Sequence, residues 1–222
     1  MAVLACIVEG HGETTAFPVL VRRIAHECGV YDLHIPKPIR SPKSKLLATE
    51  HTDVVRHLDR VIRLAVNLLP NPNEGALLVS LDADESCPKK IAESIRRMVS
   101  GIRDDVRCEI VLPKMEFESW FLAALPSLAT HRGLAPHTVP DCPEGQQGAK
   151  QMISRLLFPP DQSYSETVDQ QKLSAVMSLQ EASKCRSFRH FLKTMESVLC
   201  FLYPSQAETI QRRINDIQQS RP

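Results

Sequence analysis

Residues 2–13 read AVLACIVEGHGE, a run of seven apolar residues followed directly by an acidic loop with two glycines. An unbroken apolar run that stops at Glu9 predicts a strand buried on both faces, as strands are in a parallel sheet. After the loop, Glu13 to Cys28 places apolar residues at three- and four-residue steps before Gly29, which predicts a helix. This strand, loop and helix unit determines the expected fold.

The same unit recurs farther along the chain. Residues 76–81 form a second apolar run that ends at Asp82-Ala83-Asp84, and a helical pattern with Pro88 near its start follows. Alternating strands and helices at this spacing predict an α/β, Rossmann-like fold, with a mostly parallel sheet flanked by helices. The other elements predicted in this part are a weak strand near 32–36, a crossover helix over 45–69, a helix over 88–100, a strand over 106–112 and a helix opening at 116–122.

The character of the sequence changes near residue 126. Residues 126–148 are rich in Pro, Gly and His, and every later pattern is helical. We therefore predict an α/β core over 1–125 and a helical C-terminal extension over 126–222 that packs on it. The helical patterns of the extension cover 149–158, 167–180, 184–202 and 204–218.

The composition of the 222 residues limits the classes of function. Their formal net charge of +1 offers no general attraction to a nucleic-acid backbone, so such binding would need a local patch. The seven cysteines are an odd number without a C-x-x-C pair, which indicates free thiols in a reducing compartment. No stretch approaches the roughly 18 apolar residues of a membrane span, so a soluble cytoplasmic protein is expected.

Acidic residues follow three of the predicted strands. Ligands of parallel α/β sheets bind outside the carboxyl ends of the strands, so these carboxylates should meet at one edge. In extended backbone, residues i and i+2 point to the same side, which pairs Asp82 with Asp84. Hard oxygen ligands of this kind suit Mg²⁺ or Mn²⁺. The expected acidic residues are Glu9, Glu13, Asp82, Asp84, Glu116 and Glu118.

Each of these features also has a simpler explanation. Acidic residues after strands are often helix caps or solvated turn residues.

A cation that stabilises a transition state is expected beside the acids. Lys89, Lys90 and Lys150 are the candidates for binding substrate, although lysines are usually solvated surface residues. The basic segment 37–45 could contact phosphates or be an ordinary solvated loop.

Two acidic motifs resemble those of a known domain. IVEGHGE at 7–13 and LVSLDAD at 78–84 are similar to the Toprim pattern of topoisomerases, primases and overcoming-lysogenization-defect nucleases. More closely, the chain resembles a family of small stand-alone Toprim-like bacterial proteins of unknown function. That likeness extends to 116–123 and to the stretch from Tyr164 to Phe188, and so covers most of the chain.

The resemblance implies a Toprim-type fold and metal-dependent phosphodiester chemistry on DNA or RNA. It makes Glu9 a general acid or base and Asp82 and Asp84 ligands of a divalent metal ion. Apart from the resemblance, Glu9 is also a candidate metal ligand, and Glu13 is a second candidate catalytic residue that would complete or orient the ligand set. Many Toprim domains have a third acid where this chain has Ser86, and Glu116 or Glu118 could replace it. An ATPase protein partner is implied as well, and a homodimer is also considered. The alternatives are a non-catalytic binding module and a nucleotidyl or phosphoryl transferase.

Overall fold

A four-stranded parallel sheet organises the molecule. In the computed structural model, residues 1–42, 52–70, 74–82 and 87–219 are described. Their strands are β1 (Val3–Val8), β2 (Ile39–Arg40), β3 (Gly75–Ser80) and β4 (Arg107–Val111), in the order β2-β1-β3-β4. β1 and β3 are buried along their whole length, as their unbroken apolar runs predict. The predicted α/β class is confirmed.

The second strand differs from its prediction. Residues 32–36 contribute an isolated bridge between His34 and Val3, and β2 lies farther on, at Ile39–Arg40. Pro36 and Pro38 separate the bridge from the strand. Because proline has no N–H to donate to a ladder, the pairing is interrupted until both prolines have passed.

The helices follow the predicted pattern with shifted ends. The described part of the predicted helix over 45–69 is helical from Thr52 to Val66, whereas residues 45–51 lie outside the described residues. The expected loop over 126–148 begins later, because Leu125, Leu128 and Ala129 are buried on one face of a helix that continues to His131. The helices are α1 (Glu13–Glu27), α2 (Thr52–Val66), α3 (Pro88–Ile102), α4 (Ser119–Ala123), α5 (Leu125–His131), α6 (Ala149–Leu157), α7 (Glu166–Val176), α8 (Leu179–Ala182), α9 (Arg186–Leu202) and α10 (Ala207–Gln219).

Different parts of the chain cover the two faces of the sheet. α2 and α3 pack on one face, where residues such as Ile62 and Ile95 meet Ile7 of β1. α1 and the helices after β4 share one apolar cluster on the other face. There the ring of Phe191 stacks on Phe17 and on Trp120, with centroids 5.5 and 5.4 Å apart. The division expected at residue 125 stays a prediction, and this cluster runs across it.

None of the helices in the described ranges is long and apolar enough to cross a membrane.

Candidate functional site

The connection order of the sheet creates a crevice at its carboxyl edge. In the sheet, β2 lies on one side of β1, and β3, which comes later in the chain, lies on the other side of β1. Such a change of direction separates the loops that follow the two strands, and ligands of open α/β sheets bind in the resulting gap. A cavity of about 290 Å³ lies at this point. Its described lining residues are Glu9, Gly10, His11, Glu13, Arg40, Pro42, Asp82, Phe117, Glu118, Lys150, Glu166 and Gln170.

Glu9 and Asp82 meet at the centre of this edge. The register pairs Val8 of β1 with Ser80 of β3, so the residues that follow these strands are neighbours. Glu9 Oε2 accepts a hydrogen bond from the backbone N–H of Asp82, with an N to O distance of 3.2 Å. Sheet pairing therefore brings together two acids that are 73 positions apart in the chain. Asp84, the other expected ligand of this pair, lies outside the described residues.

Glu13 is a buried acid behind them, at the first position of α1. Its side chain is 5% exposed, and Oε1 accepts a hydrogen bond of 3.2 Å from the Gly10 N–H. Burial raises the pKa of the Glu13 carboxyl to about 8, with smaller raising effects from Glu118 and Glu9 and a lowering effect from the Gly10 hydrogen bond all included in that value. Without a cation, the site therefore favours a proton on Glu13.

Glu118 comes from the far side of the cavity, just before α4. It is 1% exposed, and its Oε1 accepts hydrogen bonds from the Tyr164 hydroxyl at 2.8 Å and from Gln170 Nε2 at 3.3 Å. Within the described residues, Oε2 has no hydrogen-bond donor. Burial raises the pKa of Glu118 to about 7, although Lys150 and Tyr164 act to lower it. A buried carboxylate oxygen without a donor calls for a proton or a cation.

Glu116 is placed differently from Glu118. It is partly buried and does not belong to the described lining of the cavity. The turn before it is tight, because Met115 has a positive φ of 65° and the Glu116 N–H donates to the Lys114 carbonyl at 3.0 Å. A non-glycine residue in this region is strained, and such strain is common beside functional sites.

The three lysines expected to bind substrate separate into two groups. Lys150 lines the cavity, where its ammonium forms an ion pair with Glu166 at 2.5 Å. Lys89 and Lys90 are exposed at the start of α3, outside the described lining, and Lys89 lies 4.0 Å from Glu93. Arg40 of β2 also lines the cavity, and its guanidinium donates to the Glu9 carbonyl at 3.5 Å.

A model of one protein family matches residues 8–196, and its description is "Domain of unknown function (DUF4276)". The chain belongs to the DUF4276 family. No curated protein and no solved structure matches it. All the described lining residues of the cavity fall inside the matched range. The DUF4276 unit therefore includes both the strand ends and the later helices that close the cavity.

Several lining residues of this DUF4276 member were not among the expected site residues. Arg40 lies in the basic segment that also reads as an ordinary loop, and Glu166 and Gln170 lie on α7, which the pattern marks only as a helix. For Glu166 and Gln170, the sequence signal that could have identified them is the family resemblance of the stretch from Tyr164 to Phe188. Their spatial role follows from the packing of α7 on α1.

Gly12 explains how closely α7 approaches the acidic loop. Its backbone is ordinary for any residue, with φ −64°, so the glycine is needed for space. A Cβ at this position would overlap the backbone carbonyl of Glu166 and Oε1 of Gln170. The small residue therefore lets α7 close over the loop that carries Glu9.

The residues of the cavity are of a type that holds a hard metal ion. The two buried carboxyls with raised pKa and the donorless Oε2 of Glu118 are relieved by a cation as well as by protons. Among the described residues, no group of three His, Cys, Asp or Glu side chains is arranged to hold a metal. Carboxylate oxygens are nevertheless the type of ligand that hard cations such as Mg²⁺ and Mn²⁺ prefer.

A larger cavity lies elsewhere but has different chemistry. It measures about 430 Å³, and its described lining includes Leu134, Leu157 and Phe158 without a carboxylate. Arg132 lies over the Phe158 ring, 4.2 Å from its centroid. The smaller cavity is therefore the candidate site for chemistry, because its lining includes the buried carboxylic acids Glu13 and Glu118.

Proposed function

We propose that this protein carries out metal-dependent phosphodiester chemistry on nucleic acid, as a nuclease of Toprim type. The observation that supports it most strongly is the meeting of Glu9 and Asp82 at the ends of neighbouring parallel strands, in a cavity that also holds Glu13 and Glu118. The resemblance of both acidic motifs to the Toprim pattern points to the same chemistry.

Each residue has a distinct role in the proposal. Glu9 and Asp82, with Asp84 from outside the described residues, would hold Mg²⁺ or Mn²⁺, and Glu118 would offer its donorless oxygen to a cation. When bound, the metal supplies charge neutralisation at the phosphate and lowers the pKa of water. Glu9 acts as general acid or base, and Glu13 orients the loop through its bond to the Gly10 N–H. Lys150 offsets negative charge on the phosphate.

The charge of the cavity makes phosphate binding dependent on a cation. Of its described lining residues, five are carboxylic acids and two are Arg or Lys. Like charges that lie this close repel one another, so a nucleic-acid phosphate is disfavoured until divalent cations or protons neutralise the acids. This matches an enzyme whose substrate binding requires its metal.

Cleavage assays test the proposal directly. The purified protein is incubated with labelled single- and double-stranded DNA and RNA, with Mg²⁺, with Mn²⁺ or with a chelator. We expect cleavage that needs the metal and is lost in Glu9→Gln and Asp82→Asn. Glu74→Gln is the matched control, since this exposed glutamate lies at the opposite end of β3. Metal-independent cleavage, or cleavage that survives Glu9→Gln, would reject the proposal.

The partners belong to the proposal as well. The resemblance suggests an ATPase partner, and a homodimer is the other assembly considered. Native mass spectrometry of the protein isolated from its own cells tests both. A mass that corresponds to a single chain under gentle conditions would argue against them.

A non-catalytic binding module is the second candidate. One observation favours it, namely that no three-residue metal group occurs within the described ranges. Calorimetry separates the two functions. Micromolar Mn²⁺ binding that Asp82→Asn abolishes supports the nuclease, and its absence supports the module. Nucleotide binding without cleavage would instead indicate a nucleotidyl or phosphoryl transferase.

A further inference from the structure

The ion pair between Lys150 and Glu166 is a contact of the cavity that is partly open to solvent. Lys150 is near the start of α6 and Glu166 is the first residue of α7, and the two side chains are 38% and 39% exposed. By contrast, Glu13 and Glu118 are 5% and 1% exposed. Lys150 is thus a cation that a ligand entering from solvent can reach, as is the exposed Arg40, and the ammonium of Lys150 is already paired with a carboxylate.

The exposure of this pair makes it easy to exchange. Half-exposed ion pairs contribute little to stability, at most about fivefold in an equilibrium constant, because water screens both charges. A phosphoryl group offers the ammonium the same kind of contact, with anionic oxygens in place of the carboxylate. The exchange of the Glu166 carboxylate for a phosphoryl group at the Lys150 ammonium therefore costs little free energy.

We propose that Glu166 is a placeholder for a phosphoryl group of the ligand: it occupies Lys150 in the free protein and is displaced when the ligand binds. This inference rests on the proposed function for the identity of the ligand as a nucleic-acid phosphate. In this inference Glu166 of α7 opposes the binding of a phosphoryl group, whereas the other acids of the cavity are expected to hold cations. Glu166 therefore weakens the binding of phosphoryl anions, and removing its contact with Lys150 tightens it.

A double-mutant cycle tests the direct competition. Binding of inorganic phosphate and of a short phosphorothioate oligothymidylate, which resists cleavage, is measured in Mg²⁺ for wild type, Glu166→Gln, Lys150→Gln and the double variant. We expect Glu166→Gln to tighten binding about three- to fivefold and Lys150→Gln to weaken it at least about fivefold. In the Lys150→Gln background, Glu166→Gln should have no effect. Equal tightening in both backgrounds would overturn the inference.

A shorter acidic side chain at position 166 distinguishes the direct contact with Lys150 from a general effect of negative charge. Glu166→Asp keeps the negative charge but removes one methylene, so its carboxylate no longer reaches Lys150 in the same geometry. We expect Glu166→Asp to tighten binding in part. Affinity unchanged in Glu166→Asp but raised in Glu166→Gln would indicate a purely long-range effect and overturn the inference. Thermal unfolding of each variant verifies that it is folded.

The two probes also separate this inference from the proposed function. Tightening for the oligonucleotide supports a nucleic-acid ligand, whereas tightening for inorganic phosphate alone assigns the placeholder to a small phosphate. If the protein does not cleave nucleic acid but the cycle behaves as expected, only the proposed function fails. If it cleaves but the cycle shows no coupling, or if wild type binds neither probe in Mg²⁺, the placeholder is rejected.

Discussion

The cavity is built by two regions that contribute in different ways. The first is the strand-end rim, here Glu9, Glu13 and Asp82, whose acids are placed by the pairing of β1 with β3 and by the start of α1. The second is the helical wall, here Lys150, Tyr164, Glu166 and Gln170, which comes from residues after β4. The rim concentrates negative charge, whereas the wall orients Glu118 and holds the exchangeable ion pair. Sheet topology therefore brings the negative charges together, whereas helix packing supplies the groups that orient Glu118 and pair with Lys150.

The strongest test removes one carboxylate from each region. Glu9→Gln is expected to lower metal-dependent cleavage at least about a hundredfold, because it removes a proposed ligand and proton carrier. Glu166→Gln is expected to raise phosphoryl affinity and to retain cleavage. Steady-state kinetics on the same substrate measures both. Similar losses in both variants would mean that rim and wall do not differ in role.

The next test disturbs the contact between α7 of the helical wall and the loop that follows β1. Gly12→Ala places a methyl group against the Glu166 carbonyl and Gln170 Oε1, so we expect a loss of about 1–3 kcal/mol in the free energy of unfolding. Gly101→Ala in α3 is the matched control, since beyond its chain neighbours and its own helix backbone no atom of the described residues lies within 4 Å of an added Cβ. That variant should gain up to about 1 kcal/mol. Urea denaturation measures both, and equal stabilities would contradict the close approach of α7.

A smaller change weakens one contact from the wall. Tyr164→Phe removes the hydroxyl that donates to Glu118 Oε1 and leaves the ring in place. We expect a loss of about 1–2 kcal/mol in unfolding free energy, because a buried carboxylate oxygen loses a donor. Tyr31→Phe, at a side chain that is 75% exposed, should have no effect. A Tyr164→Phe variant as stable as wild type would show that the wall does not hold Glu118.

A pH dependence of the free energy of unfolding also arises in the rim, from Glu13. The pKa of Glu13 is raised to about 8, so the folded metal-free protein holds a proton that the unfolded chain releases near its ordinary value of 4.5. Stability from this group is therefore fully present at low pH and is lost as pH rises from about 5 to about 8. In Glu13→Gln, which mimics the protonated acid, the decline should be shallower. Urea midpoints across this range measure it, with Glu74→Gln as control, and an unchanged slope would contradict the raised pKa.

The rim could be anticipated in large part from the sequence. Apolar runs that stop at acidic residues locate strand ends, and parallel strands place those ends at one edge. Glu9, Glu13, Asp82 and Glu118 were expected at this edge, and all four line the cavity. Glu116 shares the pattern of Glu118 but does not belong to the described lining of the cavity, and it directly follows the tight turn at Met115. The spacing of the acidic residues along the sequence does not predict that turn.

The wall was far less predictable. Helical periodicity marks α6 and α7 but not which residues meet the loop after β1, since that depends on how helices distant in sequence pack. Lys150 was indistinguishable from Lys89 and Lys90 until the packing placed it at the cavity and left the others exposed. The short second strand was displaced for a local reason, the two prolines, whose consequence appears only in the pairing with β1.

The α/β class and the acidic character of the sheet edge follow from the sequence alone, because both depend on local periodicity and on the residues that directly follow strands. The burial of individual acids, the presence of Lys150 among them and the approach of α7 to Gly12 are set by the packing of the folded chain. Burial and charge pairing depend on contacts between distant stretches of chain, such as the packing of α7 on α1, and no local pattern predicts such contacts.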